Sequence, residues 1–164
     1  MISLDASQAE CLVFTYKEGL LSAVAHDLEI RVGRFTVEID PAAPSLRARF
    51  DARSLAVQRV PERDKRTIEG HIADDVLHTK RYPEITFASK RITRDGDRAE
   101  VRGDLTLHGA TREIAATAHR KDGRWSTEVR LHQPDWGIKP FTAMLGTLRI
   151  QAVVTVRLIL PEIW

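Results

Sequence analysis

Six histidines and a single cysteine are the residues of this 164-residue chain whose chemistry is most open. His26-Asp27, and His71 with Asp74 or Asp75, have the types and spacing of acid–base pairs, because imidazole titrates near neutral pH and a neighbouring carboxylate orients it. A small hydrolase or isomerase built on either pair would also need an activated nucleophile. The sequence shows neither a nucleophile elbow nor a glycine-rich phosphate loop. Zinc asks for three or four convergent nitrogen, sulfur or carboxylate donors. Cys11 is the one thiol, and His71 and His78, seven residues apart, would share a helix side yet stand too far apart to hold one ion. The expectation is therefore no catalytic residue, no metal and no cofactor. His108, at a strand end before Gly109, reads as a turn residue making local hydrogen bonds.

Composition narrows the class further. With 43% hydrophobic and 29% charged residues, the chain has the makings of one core, and residues 1–164 read as a single domain. One cysteine makes no internal disulfide, so the fold stands on packing and suits a reducing compartment. Lys plus Arg number 25 against 23 Asp plus Glu, a net charge of +2, and the basic residues are scattered, which gives a nucleic-acid partner no support. Met1 to Glu10 holds two acids and no basic residue, and the apolar stretch Cys11 to Tyr16 stops at Lys17. That is no secretion signal, so a cytoplasmic location is expected. No run approaches the roughly 20 apolar residues of a spanning helix, which argues against stable membrane insertion.

What positions these residues is a two-residue repeat of hydrophobicity, the mark of half-buried antiparallel strands. Ala99, Val101, Gly103, Leu105 and Leu107 alternate with Glu100, Arg102, Asp104, Thr106 and His108. Leu148 to Leu160 repeats the pattern over 13 residues, long for one strand. Between Asp27 and Asp40 the phase changes at Gly33, from Leu28, Ile30 and Val32 to Phe35, Val37 and Ile39, which predicts a β-bulge at Gly33-Arg34 that bends the strand. Further strands are expected at Cys11 to Lys17, Leu46 to Arg53, Ile85 to Thr93, Thr111 to Arg120 and Arg124 to Gln133, with turns at Asp40-Pro41, Asp95-Gly96, His108-Gly109 and Asp122-Gly123. The strands from Ile85 onward read as a meander.

One segment breaks the period. From Glu62 to Leu77, the residues Ile68, Ile72 and Val76 recur every four positions, which suits an amphipathic helix entered at Pro61 and closed before Tyr82-Pro83. The sum is an all-β fold, an extended antiparallel lipocalin-like β-barrel of about eight strands with one short helix covering an end or a side. A barrel of that size is either filled by side chains or holds one small ligand. Ala48, Ala52, Ala99, Gly103, Ala116, Ala118 and Ala152 are small residues on the apolar faces, and such a run leaves room for an apolar guest or allows tight packing against a neighbouring sheet. Trp125 reads as core or cavity wall. Trp136, in an irregular Gly- and Pro-containing segment, could plug one end or gate it.

Three strings carry a family resemblance: Tyr82-Pro83-Glu84-Ile85-Thr86-Phe87-Ala88-Ser89, Gly103-Asp104-Leu105-Thr106-Leu107-His108-Gly109 and Asp135-Trp136-Gly137-Ile138-Lys139-Pro140. In order and spacing they resemble the YceI-like family, most clearly from Ile68 to Leu160. The first third, including Ala25-His26-Asp27, aligns poorly; Glu69-Gly70-His71 stands one residue closer to the Tyr-Pro element than is usual, and Trp136 replaces a frequent Phe. The resemblance implies an extended barrel carrying a polyisoprenoid or similar long apolar lipid. Phe35, Phe50, Ile85, Phe87, Leu105, Trp125, Trp136 and Ile150 are the expected wall residues. The expected function is non-catalytic binding of a polyisoprenoid or quinone-like lipid. The alternatives are a packed barrel acting as an interaction module or homodimer, and a small enzyme using His26 and Asp27, or His71.

Overall fold

The computed structural model describes residues 1–18, 27–143, 146 and 148–163. Its elements are β1 (Ile2–Asp5), β2 (Glu10–Thr15), β3 (Lys17–Glu18), β4 (Leu28–Val32), β5 (Phe35–Asp40), β6 (Ser45–Asp51), β7 (Leu55–Gln58), α1 (Glu62–His71), β8 (Glu84–Asp95), β9 (Arg98–Leu107), β10 (Ala110–Lys121), β11 (Arg124–His132), β12 (Thr142–Ala143), β13 (Leu148–Ile150) and β14 (Val153–Pro161). A π-helical turn, Ile72–Val76, continues α1, so the expected helix occupies nearly its expected span. Eleven strands form one antiparallel sheet in the order β1-β5-β6-β8-β9-β10-β11-β14-β2-β4-β7. The small second sheet is β12-β13-β3.

Eleven strands rather than about eight result from bends. β4 and β5 are joined by Gly33-Arg34, and β6 and β7 by a 3-10 turn, Ala52–Ser54. Because β4 pairs with β7 and β5 with β6, these four are the two bent arms of one hairpin. β2 and β1 flank the same bent strand on either side of the corner. Counted through the bends, with β1 and β2 taken as successive parts of one further strand along β5 and β4, the sheet has eight strands and returns on itself. The single bulge expected at Gly33-Arg34 is thus a full corner, in which two residues of one arm face the three of Ala52–Ser54. Hydrogen bonds lock it: Gly33 N–H donates to Ser54 O (2.8 Å), Asp51 N–H to Arg34 O (2.9 Å), and Arg34 N–H to Ser54 Oγ (2.9 Å).

The meander from β8 through β11 to β14 follows the chain, as its turn chemistry predicts. Asp122 and His108 both adopt positive φ before a glycine, the backbone of a tight primed hairpin turn. The long final strand does not persist: Leu148 to Leu160 divides at Gln151-Ala152. There Gln133 N–H donates to Ala152 O (2.8 Å) and Gln151 N–H to Tyr16 O (2.7 Å), so the backbone turns to partners outside the ladder. Val154, Val156, Leu158 and Leu160 keep their inward phase.

The corner has a charged fastening. Arg34 Nε and Nη2 reach Asp51 Oδ2 at 3.1 and 3.0 Å, while Arg53 Nε reaches Oδ1 at 3.1 Å and its backbone N–H donates to Oδ1 at 2.9 Å. The Arg53 guanidinium above all, with the backbone donor and Arg34 adding to it against the cost of burial, brings the Asp51 carboxyl down to about 2. A carboxyl lowered on folding stabilises the fold above its unfolded pKa of about 3.9 and loses that contribution as pH falls through 2. Asp51→Asn is expected to cost on the order of 1 kcal/mol at pH 7 once solvent screening is allowed for, about 2–4 °C in Tm. In a thermal series the gap to wild type closes between pH 4 and pH 2; a gap that stays constant to pH 2 refutes this role for the carboxylate.

Candidate functional site

Inside the barrel lies a cavity of about 640 Å³ whose walls are mainly apolar. A solid core closes the end where β1, β5 and the β10–β11 turn meet: Trp125, Val37, Ile39 and Cys11 are buried there together with Leu160 and Ile163. Trp125, Cys11, Leu160 and Ile163 also form the cavity floor. Toward the opposite end the lining passes to α1, through Asp64, Thr67, Ile68, His71 and Ile72, and to Phe141, Arg149 and Ile150.

α1 presents these residues because positions three and four apart share one helix face. None of its residues is buried. It lies along the outer edge of β7, where the Glu69 carboxylate accepts the Val57 N–H at 2.9 Å, a backbone donor that a further strand would otherwise take. Across the opening, the Phe141 ring meets the His71 ring at 5.0 Å. Thr142, next to Phe141, pairs with Arg149, which in turn bonds Glu18 on β3 (2.9 Å). His71 and Arg149 therefore flank Phe141 at a single mouth.

Of the eight expected wall residues, Phe50, Ile85, Phe87, Leu105, Trp125 and Ile150 line the cavity. Phe35 does not. It is buried in the core with Leu4, Val37 and Ile39, and Phe50, stacked on it at 5.7 Å, takes the lining position. Trp136 does not line it either. It closes the 3-10 turn Gln133–Trp136, capped by Gly137 in the left-handed conformation, and packs among Leu105, Leu107, Leu131 and Ile138 while its Nε1–H donates to Leu105 O at 3.2 Å. That geometry places the ring in packed core and not in the cavity wall. Alternation says nothing about such an irregular segment, whereas the helix-face residues and Phe141 and Arg149 were missed because sequence alone does not reveal which helix face meets which strand end.

Five of the seven small residues, Ala48, Ala52, Ala99, Ala116 and Ala118, line the cavity, and Gly103 and Ala152 do not. A Cβ at Gly103 would fall 2.3 Å from Ala88 O and 2.6 Å from Phe87 Cζ, so that glycine makes way for the cross-strand phenylalanine, not for a guest. His26 lies outside the described residues, so the His26-Asp27 pair has no geometry to report. His71 does meet Asp75, Nδ1 to Oδ2, at 2.6 Å. Among the described residues no group of three or more His, Cys, Asp or Glu could hold a metal ion, and no helix is long and apolar enough to cross a membrane.

A YceI-like domain model matches residues 3–160. The chain belongs to the YceI-like family. Protein YceI of Escherichia coli O157:H7 is 36% identical over 88 residues, 52% of this chain and 43% of that protein. A UPF0312 protein of Pseudomonas putida is 37% identical over 105 residues, 57% of this chain and 52% of its own. The matched segment thus spans about half the length of these relatives. Among solved structures, Burkholderia cenocepacia BcnA aligns with a TM-score of 0.69 at 16% identity over 93% of this chain and 94% of its own. A polyisoprenoid binding domain from Saccharophagus degradans aligns at 0.66 and 17%, over 96% and 95%. At these identities the likeness is one of fold.

The strings that mark this YceI-like chain meet at one place beside the mouth. The Tyr82 ring lies 4.7 Å from that of His108 and fills the space over Gly109, where a Cβ would come within 2.7 Å of it. His108 Nε2 reaches His78 Nδ1 at 3.0 Å, and its Nδ1 reaches Trp136 O at 3.3 Å. His108 is the turn residue its position foretells, but its hydrogen bonds are not local: they reach His78 and Trp136, 30 and 28 residues away, and its ring ties the other two strings together.

Cys11 is 2% exposed, and burial pushes its thiol up to about 12. The reactive thiolate is then scarce at pH 8. A charged aromatic disulfide reagent is expected to modify Cys11 at pH 8 at least about 100-fold more slowly in the folded than in the urea-unfolded protein, where the thiol ionises near 8.5. Equal rates would contradict its place in the cavity floor.

Proposed function

We propose that this protein binds a long apolar lipid of the isoprenoid class inside its barrel without transforming it. The cavity carries the reading. Its volume of about 640 Å³ lies in the range of ligand pockets, roughly 300–1,000 Å³, and far exceeds the roughly 10–15 Å³ that one water requires. Apolar walls give water few hydrogen bonds, while each 100 Å² of apolar guest surface removed from water contributes about 2.5 kcal/mol against the cost of ordering a flexible chain. The cavity runs from a floor of Trp125 and Ile163 to the mouth at α1, a shape that suits an extended chain. The structural likeness to a domain described as polyisoprenoid binding supports the same class of guest. A packed interaction barrel fits less well, since packing would leave no such space.

What faces the guest supports binding without transformation. Among the described residues His71 is the one histidine in the lining, its carboxylate partner Asp75 is in the helical turn that continues α1, and no serine or cysteine nucleophile contacts it.

Native mass spectrometry of the purified protein, followed by organic extraction, tests the proposal: a releasable lipid mass, or uptake of added polyprenyl lipid, is expected. Ala116, on the cavity wall opposite Val101 in the neighbouring strand, is the residue to fill. Ala116→Phe is expected to reduce uptake by about tenfold or more while far-UV circular dichroism stays unchanged. Full uptake by the folded variant overturns the assignment of the cavity.

A further inference from the structure

The mouth of the cavity differs in chemistry from its walls, and this difference selects among guests. The inference rests on the lipid reading above. Among the described residues, the charged or histidine side chains in the lining are Asp51, Asp64, His71 and Arg149. Asp51 is spent in the corner, held by Arg34 and Arg53. Arg149, the one cation among the four, has Nε on Glu18 at 2.9 Å and Nη1 on Gly146 O at 3.3 Å. Among the described residues Asp64 has only the distant, highly exposed Arg63 guanidinium at 3.8 Å. A phosphate or carboxylate entering here would find a cation already neutralised and a carboxylate beside the entrance.

His71 supplies the directional group. Its Nδ1 lies 2.6 Å from the Asp75 carboxylate, so that nitrogen carries the proton between them, and Asp75 does not line the cavity. The nitrogen left for a guest is Nε2, which has no hydrogen-bond partner among the described residues. In the neutral ring Nε2 is an acceptor; in the charged ring it is a donor. A hydroxyl satisfies both states, because it donates and accepts, whereas a carbonyl serves one alone. Thr15 adds a neutral group at the same end: it lines the cavity near β3, and its hydroxyl is buried with no partner among the described residues.

We infer that the mouth, through His71 and its paired charges, selects lipids whose polar end is a neutral hydroxyl over those ending in phosphate. Three diterpene probes of equal chain length separate the possibilities: geranylgeraniol, geranylgeranyl monophosphate and the hydrocarbon phytane, each measured by displacement of N-phenyl-1-naphthylamine from the whole protein. The alcohol is expected to bind about tenfold more tightly than the phosphate and about fivefold more tightly than the hydrocarbon. His71→Phe abolishes the alcohol's advantage over phytane measured on the same variant, and His71→Gln, which can still donate and accept, keeps most of the preference. Glu18→Gln, by freeing Arg149, raises phosphate affinity about threefold or more. Equal or tighter binding of the phosphate by wild type, or an alcohol preference that survives His71→Phe, overturns the inference and leaves the lipid reading standing. Failure of all three probes overturns both.

Discussion

Closure of the sheet depends on one corner, and the cavity depends on closure. An open twisted sheet would present one apolar face to water and two edges to neighbouring molecules. Here the hairpin of β4/β5 and β6/β7 bends at Gly33-Arg34 and Ala52–Ser54, so that each of its arms completes a different part of the wall. The bend also sorts the hydrophobic residues. Leu28, Ile30 and Val32, before it, face the cavity, while Phe35, Val37 and Ile39, after it, are buried in solid core. Two exposed guanidiniums on one carboxylate would count for little on a flat surface. At the corner they hold two segments whose backbone donors and acceptors already interlock, so charge and ladder reinforce each other.

The strings by which the chain is recognised as a family member do more for architecture than for binding. Tyr82, His108 and Trp136 come from three separate connections and meet as a tilted ring contact, a histidine bridge and a buried indole. Each demand is local and strict: Gly109 because the tyrosine ring occupies its side-chain space, Gly137 because the turn after Trp136 needs positive φ. Strict local demands leave readable strings. A cavity wall, by contrast, asks only for apolar residues of tolerable size, and Leu, Ile, Val and Ala serve interchangeably.

This explains which parts of the molecule were legible in the sequence. Period-two alternation located the meander strands and their inward faces, and periodicity near four located the helix, because both depend on neighbours along the chain. The short segments β1, β3, β7 and β12 escaped, since two to four residues carry no measurable period. Gly103 misled for a related reason: its alternation was correct, yet whether an absent side chain leaves a void or admits a cross-strand Phe87 is decided by a residue sixteen positions earlier. The mouth was least legible. His71, Phe141 and Arg149 are brought together by an edge strand, a helix and a small second sheet, and no single stretch of sequence contains that juxtaposition.

The same construction determines where the barrel opens most cheaply. Its floor is solid with Trp125, Val37 and Ile39, and its sides are continuous ladders of backbone hydrogen bonds, which break only cooperatively. α1 buries none of its residues fully and is tied to the wall through Glu69 and Val57 and through the half-exposed His71 beside Phe141. Local opening free energy follows buried contacts and protected hydrogen bonds, so this helix has the least to lose by moving. A guest held by non-directional apolar contact along its length can slide in that direction without exchanging specific bonds until it reaches the mouth. For the lipid proposed above, the walls would supply affinity, and α1, amphipathic with none of its residues fully buried, is the element whose displacement would break few buried contacts.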